Sequence, residues 1–273
     1  MVAKYIDSMD DDAYHHRGIA KVEDNIYVLD YTPNRIRVYE NQIDFRFIRD
    51  ITLSGTHYPN DIIYSDKSKN VYISDSEDKC VWVMTTTEEH RLTKWLNNVT
   101  FPNTLSLSNE GHLLVLRHGE SDVPNQLEIY SLEATLIRAL HLPKNVADPL
   151  HVVQMSTGEF IVSHRLEGTL TGTLSQLTNN GQLIRQIVPR NKSEELGYPG
   201  HLALDSDNNR LFVADYTRDQ VILFDSNDLT WSQVVVSKEK NGIRDPNRLF
   251  YDTRKKQLFV TQSLFNVTVY EIN

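Results

Sequence analysis

The residue types best suited to metal chemistry recur at one position of a repeated sequence pattern. His151, His201 and Asp61 each stand two positions after a proline. The equivalent positions of the other repeats hold Gly18, Thr104 and Arg248. Two histidines and an aspartate could together hold a divalent metal. The simpler interpretation, which we adopt for the sequence, is that they are polar residues at the mouth of a central channel, with no metal and no cofactor.

The other chemical signals are explained by turns and strands. Asp30, Asp75 and Asp215 look like three catalytic carboxylates, but they share one repeat position, where a short acidic side chain can accept backbone N–H bonds. Residues 205–216 resemble a calcium loop without its glycine and its final glutamate. The sequence contains no G-x-S-x-G, H-E-x-x-H, P-loop or G-x-G-x-x-G motif. These patterns predict no catalytic residue.

A repeat of about 40 to 50 residues runs through the whole chain. One clear copy, YPGHLALDSDNNRLFVADYTRDQVILFDSNDLTWSQVVV, covers 198–236, and YPNDIIYSDKSKNVYISDSEDKCVWVMTTTEEHRLTKWL covers 58–96. Each copy alternates apolar and polar residues in four short segments separated by polar turns, which indicates four strands. The prolines that mark successive repeats are 43, 47, 50 and 47 residues apart. Four-stranded repeats of this length are typical of β-propeller blades.

The predicted fold is all-β, a single six-bladed β-propeller of four-stranded blades over residues 1–273. The last copy stops after three strands, and the N-terminal segment VAKYIDSM (2–9) supplies the fourth. This strand closes the ring and removes open sheet edges. The predicted blades cover residues 15–53, 58–96, 101–143, 148–189, 198–236, and 245–273 plus 2–9.

The strands share a finer pattern. Second strands read NIYVLD (25–30), NVYISD (70–75) and RLFVAD (210–215), and a third strand reads DQVILF (219–224). With the preceding proline this pattern resembles the NHL-repeat family. The resemblance implies a module like the C-terminal domain of tripartite-motif (TRIM-NHL) ubiquitin ligases, which recognises protein or RNA and carries no catalytic residue. A zinc-binding RING would have to lie outside this chain, since Cys80 is its only cysteine.

A second resemblance leaves an enzymatic alternative open. Peptidyl-α-hydroxyglycine lyase, a six-bladed relative, holds a metal with histidines at the channel mouth. In that family the histidine directly follows the proline, whereas His151 and His201 are shifted by one residue, which can turn a side chain to the other face. The sequence therefore favours a protein- or RNA-binding module over a metal-dependent lyase or hydrolase.

Composition limits the partners and the location. The formal net charge is −9, which disfavours binding of RNA or an anionic membrane over the whole surface. The sequence has no run of about 20 apolar residues that could span a membrane. Its N-terminus shows no signal-peptide pattern. We therefore expect a cytoplasmic protein without a membrane partner.

The predicted binding surface is the face where the first strands begin. Loops on a rigid scaffold usually carry binding residues, and arginine with aromatic residues is typical of binding hot spots. The predicted contact residues are Arg17, Tyr31, Asp61, Arg117, His118, His151, His164, Arg165, His201, Tyr216, Arg218 and Arg248. Because guanidinium pairs well with carboxylate, we expect a protein or peptide partner with acidic groups, and RNA is the alternative. The sequence thus predicts a non-catalytic binding module, such as the substrate-recognition domain of a TRIM-NHL ligase, and not an enzyme.

Overall fold

The computed structural model describes residues 3–9, 15–42, 44–87, 89–119, 124–166, 168–169, 171–187, 192, 194–262 and 266–273. Within these residues, 24 strands form six four-stranded antiparallel sheets. The first strand of each sheet contacts the first strands of the two neighbouring sheets, so these strands form a closed ring around a channel. The six-bladed propeller predicted from the repeat is confirmed.

The first three blades follow the chain directly after the N-terminal strand β1 (Ala3–Met9). Blade one contains β2 (His16–Val22), β3 (Asn25–Asp30), β4 (Arg35–Glu40) and β5 (Phe47–Thr52). Blade two contains β6 (Pro59–Ser65), β7 (Asn70–Asp75), β8 (Cys80–Thr85) and β9 (Leu92–Asn97). Blade three contains β10 (Pro102–Leu107), β11 (Leu113–Arg117), β12 (Gln126–Tyr130) and β13 (Leu136–His141).

The last three blades complete the ring. Blade four contains β14 (Ala147–Gln154), β15 (Phe160–Arg165), β16 (Gly172–Leu177) and β17 (Leu183–Gln186). Blade five contains β18 (Pro199–Asp205), β19 (Arg210–Asp215), β20 (Gln220–Asp225) and β21 (Trp231–Ser237), and the short helix α1 (Lys238–Asn241) follows it. Blade six contains β22 (Pro246–Asp252), β23 (Gln257–Gln262) and β24 (Val267–Ile272).

The N-terminal strand closes blade six. β1 pairs antiparallel with β24, with Ala3 opposite Ile272 and Met9 opposite Val267. This confirms the predicted closure, although Val2, where the predicted strand begins, lies outside the described residues. Among the described residues no helix has the length and apolarity needed to cross a membrane.

Apolar side chains fill the spaces between neighbouring blades, because alternate residues of each strand point to opposite faces of its sheet. Between blades two and three, for example, the ring of Trp95 lies 6.1 Å from that of the buried Tyr130. Phe212 and Tyr251 form a similar contact between blades five and six, with ring centroids 5.0 Å apart. This packing holds the first strands in fixed positions around the channel.

The repeat aspartates have the structural role predicted for them. Asp75 accepts hydrogen bonds from the backbone N–H groups of His57, Tyr58 and Asp78 at 2.9–3.0 Å. Asp215 accepts from the backbone of Gly197 at 3.0 Å. In blade one, the side chains of His16 and Arg35 contact the aspartate at this position, Asp30.

The segment that resembles a calcium loop is a turn. Residues 206–208 form a single 3-10 turn, and Asn209 follows with a φ of 52°. Asn208 and Arg210 both donate to the carboxylate of Asp205. Both oxygens of Asp205 are therefore held by neighbouring side chains, as a polar hairpin turn requires.

Candidate functional site

Six residues, one from the first strand of each blade, form a layer across the channel close to the start of these strands. We call this set the polar layer, and it consists of Gly18, Asp61, Thr104, His151, His201 and Arg248. All six residues are buried, and Asp61 and His151 are each only 2% exposed. One metal-ligand atom from each of Asp61, His151 and His201 lies within 4.8 Å of the others. The structure thus brings together side chains from blades two, four, five and six.

A β-bulge sets the direction of these side chains. In each blade the pairing of the first and second strands shifts register at the start of the first strand, as between Pro59 and Asp61 and between Pro246 and Arg248. Proline lacks the N–H group that a regular ladder needs, so it stands at the beginning of the strand. A bulge adds an unpaired residue and redirects the side chains next to it. The bulge therefore lets a residue two positions after the proline reach the channel.

Asp61 is a buried carboxyl held by two backbone amides. Its Oδ1 accepts from the N–H of Ile62, and its Oδ2 accepts from the N–H of Leu105 in the next blade, both at 2.9 Å. His201 Nε2 lies 3.9 Å from Oδ2, and Arg248 Nε lies 3.8 Å from Oδ1. Burial raises the pKa of Asp61 to about 6, although the charge of Arg248 opposes this shift. The carboxyl can therefore exchange a proton near neutral pH.

The two imidazoles are neutral and in contact, with ring centroids 3.6 Å apart. Burial, together with the charge of Arg248, lowers the pKa of His151 to about 3. A contact with the Leu105 backbone raises this pKa but does not offset the other two effects. Burial also lowers the pKa of His201 well below its ordinary value. The Nδ1 atoms of His151 and His201 accept from the backbone N–H groups of Leu202 and Leu249, each at 3.4 Å. A neutral ring that accepts at Nδ1 carries its proton on Nε2.

Two buried donors in the polar layer lack a hydrogen-bond partner within the described part of the chain. They are Nε2 of His151, although the Leu105 backbone lies near enough to this ring to raise its pKa, and Nε of Arg248, which lies 3.8 Å from Asp61 Oδ1. The other nitrogens of Arg248 are used, since Nη1 donates to Asn247 Oδ1 at 2.9 Å and Nη2 to the Asn60 carbonyl at 3.1 Å. Leaving a buried polar group unpaired costs about 1–3 kcal/mol, and more for a charged group. The two donors are therefore suited to an oxygen atom supplied by a ligand.

This donor set fits an oxyanion better than a metal ion. A histidine that ligates a metal through one nitrogen almost always donates the N–H of its other nitrogen to an acceptor. In His151 and His201 the Nδ1 atom instead faces a backbone N–H, which is itself a donor. The positive guanidinium of Arg248 also lies beside Asp61 and would repel a cation bound there.

The remaining predicted site residues lie around the polar layer and have partners of their own. The guanidinium of Arg17 stacks on the rings of Tyr31 and Tyr58, 5.3 and 5.0 Å from their centroids, and donates to the Tyr58 hydroxyl at 2.8 Å. Tyr216 contacts Tyr198, with ring centroids 6.1 Å apart. These two clusters lie on the face where the first strands begin, which we call the loop face.

The predicted basic residues of blades three to five are also paired. Acidic groups hold three of the arginines: Arg117 contacts Glu128, Arg165 contacts Asp148, and Arg218 contacts Glu195. His118 bonds Asn103 at 3.0 Å. His164 is fully buried between Ser175 Oγ and the Arg165 carbonyl, each at 2.8 Å, so it does not belong to an exposed surface.

Sequence reasoning missed two features of this region. Tyr58 and Tyr198 each precede a repeat proline and lie next to Arg17 and Arg165. The recurring Tyr-Pro pair in blades two and five was a usable signal for them. The sequence could not predict that His151 Nε2 and Arg248 Nε lack hydrogen-bond partners, because this depends on which atoms of the neighbouring strands surround them.

Comparison with known proteins places the chain in a structural class. No protein-family model matches it, and no curated protein matches it in sequence. Among solved structures it is similar to a gluconolactonase from Xanthomonas campestris, with a TM-score of 0.69, 13% identity and coverage of 96% of this chain and 88% of the other. Virginiamycin B lyase from Staphylococcus aureus gives a TM-score of 0.69 at 8% identity, covering 98% and 99%. The chain is a six-bladed β-propeller, like these proteins.

A third similar structure is that of the nidogen/laminin complex, with a TM-score of 0.65, 14% identity and coverage of 83% of this chain and 81% of the other. These neighbours support the propeller fold, but they give no support to the predicted relationship to TRIM-NHL proteins. They also correct the prediction that the chain is not an enzyme. Two proteins with the same fold are named as a lactonase and a lyase, so the absence of familiar catalytic motifs does not exclude catalysis.

Proposed function

We propose that the protein is a hydrolase that cleaves an ester or lactone at the polar layer. The observation that carries this proposal is the pair of buried, unpartnered donors, His151 Nε2 and Arg248 Nε, beside the buried carboxyl of Asp61. Donors that point to where negative charge develops stabilise a tetrahedral intermediate. A carboxyl with a pKa near the working pH is suited to general-base catalysis.

Each group has a defined task in this reaction. Asp61 accepts a proton from a water molecule as the water oxygen attacks the substrate carbonyl carbon. The carbonyl oxygen becomes an oxyanion and accepts hydrogen bonds from His151 Nε2 and Arg248 Nε. The carbon–oxygen single bond of the ester then breaks, and the leaving alkoxide takes the proton from Asp61. Low pKa values keep both imidazoles neutral, so that they donate without giving up a proton.

Similarity of fold supports this proposal, since one structural neighbour is named a gluconolactonase. A second candidate is a metal-dependent enzyme, which is favoured by the ligand atoms of Asp61, His151 and His201 lying within 4.8 Å of one another. The orientation of the Nδ1 atoms toward backbone donors favours the metal-free reaction.

The test is hydrolysis of a panel of lactones and p-nitrophenyl esters by the purified protein and by Asp61→Asn. We expect the substitution to lower kcat by about 10²–10⁴, the usual contribution of a general base. The matched control is Asp44→Asn in blade one, whose side chain is exposed and should not affect activity. In H₂¹⁸O, hydrolysis places the label in the acid product.

Three results would redirect or overturn the proposal. Activity that is lost on chelation and restored by one divalent ion would assign Asp61, His151 and His201 as metal ligands. An unsaturated product without the ¹⁸O label would indicate elimination instead of hydrolysis. Equal activity of Asp61→Asn and the unmodified protein would remove the polar layer from the chemistry altogether.

A further inference from the structure

Beside the polar layer the channel widens into a cavity of about 300 Å³ lined by the first strands of all six blades. His151 and His201 form one end of this cavity. Its volume lies at the lower end of the range of about 300–1,000 Å³ that is usual for small-molecule sites. The cavity is therefore large enough for a small ligand whose reactive group lies at His151 and His201.

The wall of the cavity is apolar and partly uncovered. Ile63, Leu107, Leu204 and Phe250 come from four different blades, and each is only half-buried although it lies in an innermost strand. Covering such an apolar surface with an apolar group is favourable, because it removes that surface from water. The exposed side chains thus indicate an apolar ligand segment.

The cavity opens away from the loop face. On the loop-face side, all six residues of the polar layer are buried. At the opposite end, Lys21, Tyr64, Phe250 and Tyr251 line both the channel cavity and a polar groove of about 570 Å³. This groove lies where the first strands turn into the second, which we call the turn face. A ligand can therefore reach His151 and His201 from the turn face.

We propose that the substrate is an ester or lactone with an apolar chain, and that it enters through the turn face. The chain occupies the channel between Ile63, Leu107, Leu204 and Phe250, and the carbonyl oxygen meets the donors of the polar layer. This inference rests on the proposed hydrolase function for its reactive group. It reverses the direction predicted from the sequence, which placed ligand contacts on the loop face.

The test is calorimetric binding of butanoate, octanoate and dodecanoate, whose carboxylates imitate the oxyanion. We expect the affinity to rise about fourfold for each added methylene, the equivalent of about 0.8 kcal/mol, until the channel is full. These carboxylates are not esters or lactones, so the measurement does not depend on catalysis. Leu204→Trp should weaken octanoate binding at least tenfold by filling the channel. Leu183→Trp, on an outer strand where the side chain is 41% exposed, should bind like the unmodified protein.

If Leu204→Trp does not fold, Phe250→Ala provides the same test in the opposite direction, because the wider channel should shift the preference toward longer chains. Affinity that is independent of chain length, or unaffected by either substitution, would overturn the inference even if the protein hydrolyses esters. Binding that depends on chain length without hydrolysis of any ester would uphold the channel and refute the proposed reaction.

Discussion

Two sets of buried polar side chains occupy equivalent positions in different blades, and they differ in how their hydrogen-bonding capacity is used. The repeat aspartates at the ends of the second strands share one residue type, and Asp75 and Asp215 accept two or three backbone N–H groups each. The polar layer has five residue types in six blades. Two of its donors, His151 Nε2 and Arg248 Nε, lack partners among the described residues.

The difference separates a structural position from a functional one. A buried carboxylate that receives several backbone bonds stabilises the loop that supplies them, and any blade can use the same solution. Unpaired buried donors reduce stability, so we expect them at positions where a ligand supplies the missing hydrogen-bond acceptor. Repetition of one residue type therefore marks the fold, and departure from repetition at an unsatisfied position marks the site.

The largest expected effect is on catalysis in the polar layer. Replacing Arg248 by Gln removes one of the two donors to the oxyanion and should lower kcat by about 10²–10³. KM should change less, because the oxyanion exists only in the transition state and the intermediate. Steady-state kinetics on the best ester of the panel measures both constants, and a change confined to KM would assign Arg248 to ground-state binding instead.

The next effect, on stability, belongs to the repeat aspartates. Asp215→Ala leaves the backbone N–H groups of Gly197 and Tyr198 without their acceptor and should lower the free energy of unfolding by about 1–3 kcal/mol. Urea denaturation measures the loss. Hydrolysis by the folded variant should be unchanged, and a selective loss of activity at unchanged stability would place Asp215 in the functional set.

The polar layer should behave in the opposite way. His151→Met removes a buried donor that has no partner and replaces the ring by an adaptable apolar side chain. We expect the free energy of unfolding to change by no more than about 1 kcal/mol, because only one long bond from Leu202 is lost. A loss as large as that of Asp215→Ala would show that His151 supports the fold, and the contrast between the two sets would disappear.

The smallest effect is the pH dependence of stability. Burial lowers the pKa of His164 in the folded protein, so the unfolded chain binds more protons below about pH 6.5 and stability falls as the pH decreases. His57 is exposed and Asp78 raises its pKa, so its contribution has the opposite sign. Urea denaturation at several pH values should show a shallower acid loss for His164→Gln and a slightly steeper one for His57→Gln. The same slope for both variants would contradict the assignment.

The sequence was sufficient for the architecture, because each blade repeats the same alternation and the same turn. It also placed Asp61, His151, His201 and Arg248 at one level of the channel. It could not show that a bulge after each proline redirects these side chains, since bulges follow from strand pairing. The sequence likewise could not predict that the channel opens at the turn face, because this depends on how closely the apolar side chains of different blades pack against one another.

The central claim is that His151 Nε2 and Arg248 Nε bind an oxyanion. A crystal structure with an alkyl phosphonate, which imitates the tetrahedral intermediate, tests it most directly. We predict a phosphonate oxygen at about 2.7–3.1 Å from both nitrogens, with the alkyl chain in the channel. A metal ion at about 2.0–2.2 Å from Asp61 and the histidine Nε2 atoms, or a phosphonate bound only on the loop face, would contradict the account.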